Sequence, residues 1–188
     1  FHGGPLVAQA GRPWVADLTR RLRWPAAIAV LDGARIAISA STAASSTMSP
    51  FHATIGVRHS LVTRALGRAY LAWCPEEELR ILLRMLEVSS DPEDHPPNLE
   101  RVVRAVIATT RRQGYALRDP KVEPRSSNTV AVPIMLDTTV AGTIGMSFFR
   151  SAVSQRALLE DLVPALRQAS LEITASMKRL QRSAPEAT

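Results

Sequence analysis

The order of apolar runs, turn residues and helical stripes predicts an α+β fold, an antiparallel sheet with helices packed against it. Three observations carry this. Two pairs of β-rich runs are each joined by a short turn, Asp32-Gly33 in one and Asp137-Thr138 in the other, so both read as hairpins. Three helical stripes follow one another between those hairpins, without the strand–helix alternation of a doubly wound sheet. A long amphipathic stretch, Gln155–Gln181, closes the chain.

Taken in order, Leu6, Ala10, Trp14, Leu18 and Leu22 form a helical stripe. Gly11 and Pro13 interrupt it, so a break is expected there, with a connector over Pro5–Ala10 and a fresh helix from Pro13 to Arg23. Trp24-Pro25 ends that helix. Ala26–Leu31 and Arg35–Ser39 make the first hairpin. Ala40–Pro50 is rich in Ala, Ser and Thr and reads as a loop, after which Met48, Phe51 and His52 are candidates for an apolar flap. Ile55–Ser60 reads as a turn whose Ser60 is placed to cap the next helix.

That next helix, Leu61–Cys74, is the stretch around which the chain is organised. Val62, Leu66, Ala69 and Trp73 define its buried face, and Gly67 lies in its middle. Glycine costs a helix roughly 1 kcal/mol against alanine, so a packing reason is expected: backbone lying close against a sheet. A helix start beside a sheet presents N–H groups and a positive dipole end, which suits an anion.

Pro75 with Glu76, Glu77 and Glu78 opens a further helix that buries Leu79, Leu82, Leu83 and Leu86. Val88–Pro97 reads as a flexible loop. Its Asp91, Glu93, Asp94 and His95 are metal-ligand types, but such a loop would hold them poorly, and no metal is expected. Asn98 is placed to cap a helix to Gln113 with Val102, Val103, Val106 and Ile107 inward, and Gly114 stops it. Tyr115–Arg118 reads as a strand and Asp119–Ser127 as a polar loop. Asn128–Leu136 and Thr139–Phe149 form the second hairpin, apolar enough for the middle of the sheet. Gly142 and Gly145 point to a close backbone or ligand, and Ser147 is the polar exception. In the last stretch Leu159, Leu162, Val163, Leu166, Ile173, Met177 and Leu180 face inward, Pro164 marks a kink or the true start, and Arg182–Thr188 is expected to be disordered.

The 188 residues, 46% hydrophobic, suffice for one domain with a real core. No run of about eighteen apolar residues spans a membrane, and no export leader is visible. The single Cys74 fits a reducing, cytoplasmic setting. The net charge of +6 fits anionic partners, yet the arginines are dispersed and no aromatic residues interleave with them, so direct nucleic-acid contact by this stretch is not expected. The four histidines, His2, His52, His59 and His95, stand in loops without a nucleophile motif, and no phosphate-binding loop is present, which favours a binding module over an enzyme.

The chain resembles the C-terminal effector-binding domain of IclR-type bacterial transcription regulators. The carrying motifs are Leu66-Gly67-Arg68-Ala69-Tyr70-Leu71-Ala72 with Pro75-Glu76-Glu77-Glu78, then Arg111-Arg112-Gln113-Gly114-Tyr115-Ala116-Leu117, then Ala131-Val132-Pro133-Ile134. With the strand over Val140–Ser147 and the last helix they cover residues 5 to 180 in order. The wording is most similar to the branch that activates breakdown of phenylpropionate-type aromatic acids.

The resemblance implies a GAF-like domain without a cofactor. It also implies a winged helix-turn-helix upstream that would contact operator DNA, with residues 1–12 as the end of the connecting helix and 13–182 as the effector domain. Assembly as a homodimer or dimer of dimers is implied too. The implied ligand is a small, aromatic carboxylate. Its contacts would be Ala65 and Leu66 at the helix start, Arg118 or Asp119 after the Gly-Tyr strand, Thr129, and Gly145 with Ser147, with Met48, Phe51, Leu61 and Met146 as apolar walls. An arginine can pair with a carboxylate bidentately; an aspartate cannot unless protonated. Rival readings are a small enzyme using His52 or His59 and a dimerisation module with a filled core.

Overall fold

The computed structural model describes residues 3–46 and 55–184. Its centre is a six-stranded sheet of β1 (Ala26–Asp32), β2 (Arg35–Ser41), β3 (Arg58–Ser60), β4 (Ala116–Leu117), β5 (Ser127–Leu136) and β6 (Thr139–Phe149). The strand order is β3-β2-β1-β6-β5-β4, antiparallel throughout. The fold is therefore the expected α+β arrangement, and the second hairpin takes the middle of the sheet. Gly33, at φ +62°, supplies the positive φ that the first hairpin turn requires.

Helices cover both faces. On one side α1 (Gly3–Leu22) and the last helix, α6 (Val163–Ser183), bury Ile28, Ile134, Ile144 and Met146 against Leu18, Leu166 and Ile173. On the other, α2 (Ala65–Trp73) lies on the sheet, with α3 (Glu76–Glu87) and α4 (Leu99–Gln113) outside it; Ala29, Ile38, Leu66, Leu71, Leu83 and Ile107 belong to this second core. A sheet buried on both faces explains why β5 and β6 read as continuous apolar runs.

Gly67 has the packing reason its position implied. A Cβ there would stand 2.5 Å from the Leu61 Cα and 2.6 Å from the Ser60 carbonyl oxygen, both backbone atoms. Gly145 is equally constrained, 2.7 Å from the Val130 carbonyl oxygen and 3.1 Å from Leu66 Cδ2. The two glycines together let α2 settle on the sheet.

Several expectations are corrected. α1 is one helix with Pro13 inside it. Gly11 lies where its missing side chain makes room for Ile28, so packing against β1 holds the helix together across the two residues that should break it. Ile55–Ser60 is not all turn, because Arg58–Ser60 adds β3 to the edge of β2. Ser60 does not cap α2, which starts later, at Ala65, with Arg64 extended at the cap and no side-chain cap bond. Asn98 occupies the cap position of α4 without a capping bond, and Val102 and Val106 are only half-buried.

Leu159 is exposed and Leu158 buried in its place. A π turn over Leu158–Leu162, between the short α5 (Gln155–Ala157) and α6, inserts a residue just ahead of Pro164 and rotates the stripe. α6 continues to Ser183; residues 185–188 of the expected tail lie outside the described residues, as do Met48, Phe51 and His52.

The sheet borders are short: β3 has three residues and β4 two. Where β4 stops, α6 takes over the flank of β5. Ser170 Oγ donates to the Pro133 carbonyl at 2.6 Å and Thr174 Oγ1 to the Met135 carbonyl at 2.6 Å.

Gly67→Ala should cost about 1–3 kcal/mol, since its Cβ meets backbone that cannot step aside. Gly11→Ala should cost less, because its Cβ meets only the tip of Ile28, which can rotate, and alanine favours the helix. Urea unfolding midpoints of the two variants check the ranking.

Candidate functional site

α2 covers the sheet only from Ala65 onward. Beyond its first turn the sheet face is left open, and a hollow of about 120 Å³ remains. Its floor is Ala27 of β1, Gly145 and Ser147 of β6 and Thr129 of β5. The registers Ala27↔Gly145 and Thr129↔Ser147 put these small side chains on adjacent strands. Ala65 and Leu66 form the roof, where the first N–H groups of a helix have no intrahelical partner. Pro25, Ile38 and Ala43 close the apolar sides.

The polar groups are few and mostly cationic or neutral. Ser147 Oγ and Thr129 Oγ1 are 2.8 Å apart, one donating to the other, and the Ser147 N–H donates to the Pro25 carbonyl at 3.1 Å. Arg118 is 3% exposed. Its Nη2 donates to the Pro124 carbonyl at 2.6 Å, to Ser127 Oγ at 3.2 Å and to the Ser127 carbonyl. Burial makes its charge costly, and Arg64 and Arg150 add repulsion, so its pKa is pulled below the ordinary arginine value.

Arg64 is held from behind by Glu93, with Nη2 to Oε1 at 2.7 Å and Nε to Oε2 at 3.0 Å, and Thr63 Oγ1 donates to the same carboxylate at 2.7 Å. His59, on β3, completes the wall. Its burial, reinforced by Arg64, lowers its pKa and favours the neutral ring, with Glu93 opposing. No carboxylate lines the hollow among the described residues. Buried guanidinium charge, helix N–H groups and two hydroxyls around an apolar space are chemically suited to a small anion.

Six of the residues singled out from the sequence meet here: Ala65, Leu66, Arg118, Thr129, Gly145 and Ser147. Three do not. Met146 follows the strand alternation to the opposite face and packs in the α1/α6 core. Leu61 is fully buried beneath α2 in the second core, away from the hollow. Asp119 turns to Arg68, 3.4 Å away, and accepts from the Lys121 N–H at 2.9 Å, so Arg118 is the member of that pair that faces the hollow. Met48 and Phe51 lie outside the described residues. In the sequence reading His59 enters only as a histidine of the rival enzyme, and Arg64 not at all. Strand alternation from β3 would have found the first, and the position just before Ala65 the second.

The segment expected as a flexible loop is built instead. Asp94 is 1% exposed and accepts from Ser60 Oγ at 2.5 Å and Ser89 Oγ at 2.6 Å. Asp91 pairs with Arg35 at 2.8 Å. Its acids are thus engaged with protein partners, and no group of three metal-ligating side chains occurs among the described residues.

The Arg64 hydrogen bonds hold the Glu93 carboxyl below the ordinary glutamate range, against partial burial. Its contribution to stability is therefore full above about pH 4.3 and is lost on acidification below that value. Glu93→Gln should lower the melting temperature at neutral pH, and the gap from wild type should narrow below about pH 4; thermal melts across roughly pH 3 to 7 check this.

Comparison with known proteins places the chain. A family model described as the C-terminal part of the bacterial transcriptional regulator IclR matches residues 5–175. The HTH-type transcriptional regulator XynR of Escherichia coli K12 is 27% identical over 172 residues, 91% of this chain and 67% of that protein. Among solved structures, the IclR protein of Thermotoga maritima shares 19% identity at a TM-score of 0.76, over 91% of this chain and 68% of that one. A double mutant of the inducer-binding domain of the Acinetobacter transcription factor PobR, in complex with 3-hydroxybenzoic acid, shares 16% identity at a TM-score of 0.70, over 88% and 96%. At these identities the structural likeness concerns the fold.

Proposed function

The chain belongs to the IclR C-terminal family of bacterial transcriptional regulators, and on that premise we propose that the hollow over Thr129 and Ser147 is an effector site for a small aromatic carboxylic acid. It is a regulator domain and not an enzyme. The observation that carries the reading is the convergence of Arg118, the start of α2 and two hydroxyls on one space that no carboxylate lines among the described residues. The acid's carboxylate accepts from the N–H groups of Ala65 and Leu66 and from the Ser147–Thr129 pair, with Arg118 supplying the positive field. Its ring lies along Ile38, Ala43 and Pro25. The volume of about 120 Å³ is of the order of the ~150 Å³ cavity that admits a benzene ring. PobR, with its hydroxybenzoate, supports the ligand class by analogy of fold.

The signal leaves through the first helix. α1 packs directly on β1, whose Ala27 is part of the floor, so a shift there reaches the end of α1 that an upstream DNA-binding domain would adjoin. In a homodimer or dimer of dimers, that shift changes how paired domains sit on operator DNA, a coupling of about 1–3 kcal/mol in typical cases. No helix among the described residues is long and apolar enough to cross a membrane.

Calorimetry against substituted benzoates, phenylpropionate and short-chain acids is the test. Saturable binding of an aromatic acid is expected, and no heat from any of them at millimolar levels overturns the reading. Ser147→Ala should weaken that binding by about 1 kcal/mol, roughly fivefold, while the ligand-free melting temperature barely moves. Equal loss of both would make Ser147 structural.

A further inference from the structure

A second space lies behind the first, between α4, β4 and the end of β6. It is a groove of about 420 Å³. Three arginines from three elements face it: Arg68 of α2, Arg118 after β4 and Arg150 after β6. No acid lines it among the described residues; Asp119 pairs with Arg68 at 3.4 Å from outside the lining. Arg150 donates to a carbonyl, that of Arg125, at 2.9 Å. Asn128 is 7% exposed, and its Oδ1 accepts from the Thr129 N–H at 2.8 Å, which leaves the donor half of the amide for the groove. Ala105 and Val106 of α4 and Pro120 give the groove an apolar side.

We infer that this groove is a second anion site, built for a phosphate monoester with a small apolar body. Three guanidinium groups match the charge and the several oxygens of a phosphoryl dianion better than a single carboxylate. The apolar side has the reach for the organic part of the ester. Burial already works against the charges of Arg68 and Arg118, and a bound dianion relieves that strain.

Arg118 borders both spaces. A dianion in the groove draws on the same positive field that the hollow offers a carboxylate, so the two sites compete electrostatically. This coupling, unlike the groove itself, rests on the effector reading above.

The full chain is titrated with phenyl phosphate and with inorganic phosphate, followed by phosphorus NMR and calorimetry. Saturable binding is expected for phenyl phosphate, more weakly for inorganic phosphate. Arg150→Gln, an exposed position, should weaken both by roughly tenfold with an unchanged melting temperature. Absence of saturable binding, equal affinity in Arg150→Gln, or inorganic phosphate binding as tightly as the ester overturns the assignment. Loss of phenyl phosphate binding in Ser147→Ala also overturns it, by placing the ester in the hollow. With phenyl phosphate present, benzoate should bind wild type more weakly and Arg150→Gln unchanged; an unchanged affinity in wild type overturns the coupling. Failure of every aromatic acid of the panel to bind sinks the effector reading and the coupling with it, and leaves the phosphate result intact.

Discussion

The contact on which the structure depends is backbone against backbone, the first turn of α2 resting on the end of β3. Gly67 lies over Leu61 Cα and the Ser60 carbonyl, and no residue with a side chain fits there. Gly145 does the same service from the sheet side, beneath Leu66. Together they bring a helix start down to within reach of β6. The hollow is what remains of the sheet face past that start, so its depth and its donors come from one cause.

Behind the helix start stands a second set of constraints. Ser60, the residue on which Gly67 rests, is also bonded to the buried Asp94, while the next acid along, Glu93, grips Arg64 and Thr63. A short turn far along the chain thus fixes the entry to α2 at two adjoining points. Glu93 partly neutralises Arg64, and Arg118, the other guanidinium on the wall, has its Nη2 pinned by the carbonyls of Pro124 and Ser127. An immobilised guanidinium is preorganised: it meets an anion without losing side-chain freedom at that moment.

Much of this was legible in residue order. Asp32-Gly33, Pro75 with its three glutamates and Gly114 each carry a local physical meaning, and each stands where that meaning implies. Gly67 and Gly145 signalled close approach through their cost to regular structure. The site was partly legible because Thr129, Gly145 and Ser147 share one face by strand alternation, the same rule that sends Met146 to the other side. What failed had long-range causes. Pro13 stays within a helix because tertiary packing at Gly11 outweighs local propensity. Leu159 is exposed because a π turn shifts the register, which a fixed period cannot show. The Asp94 turn looked loose because its partner Ser60 is 34 residues away.

The treatment of the sheet's two borders has a consequence for self-association. A long, bare strand at a border is a template on which another chain can add by hydrogen bonding. Here the borders are stubs, and the remaining length of β5 offers Pro133, which has no N–H to give, while two hydroxyls from α6 occupy the neighbouring carbonyls. Copies of this domain therefore have little to gain by zipping strand to strand. Any association between copies would then rest on helix surfaces and side chains, without the register lock of a shared sheet.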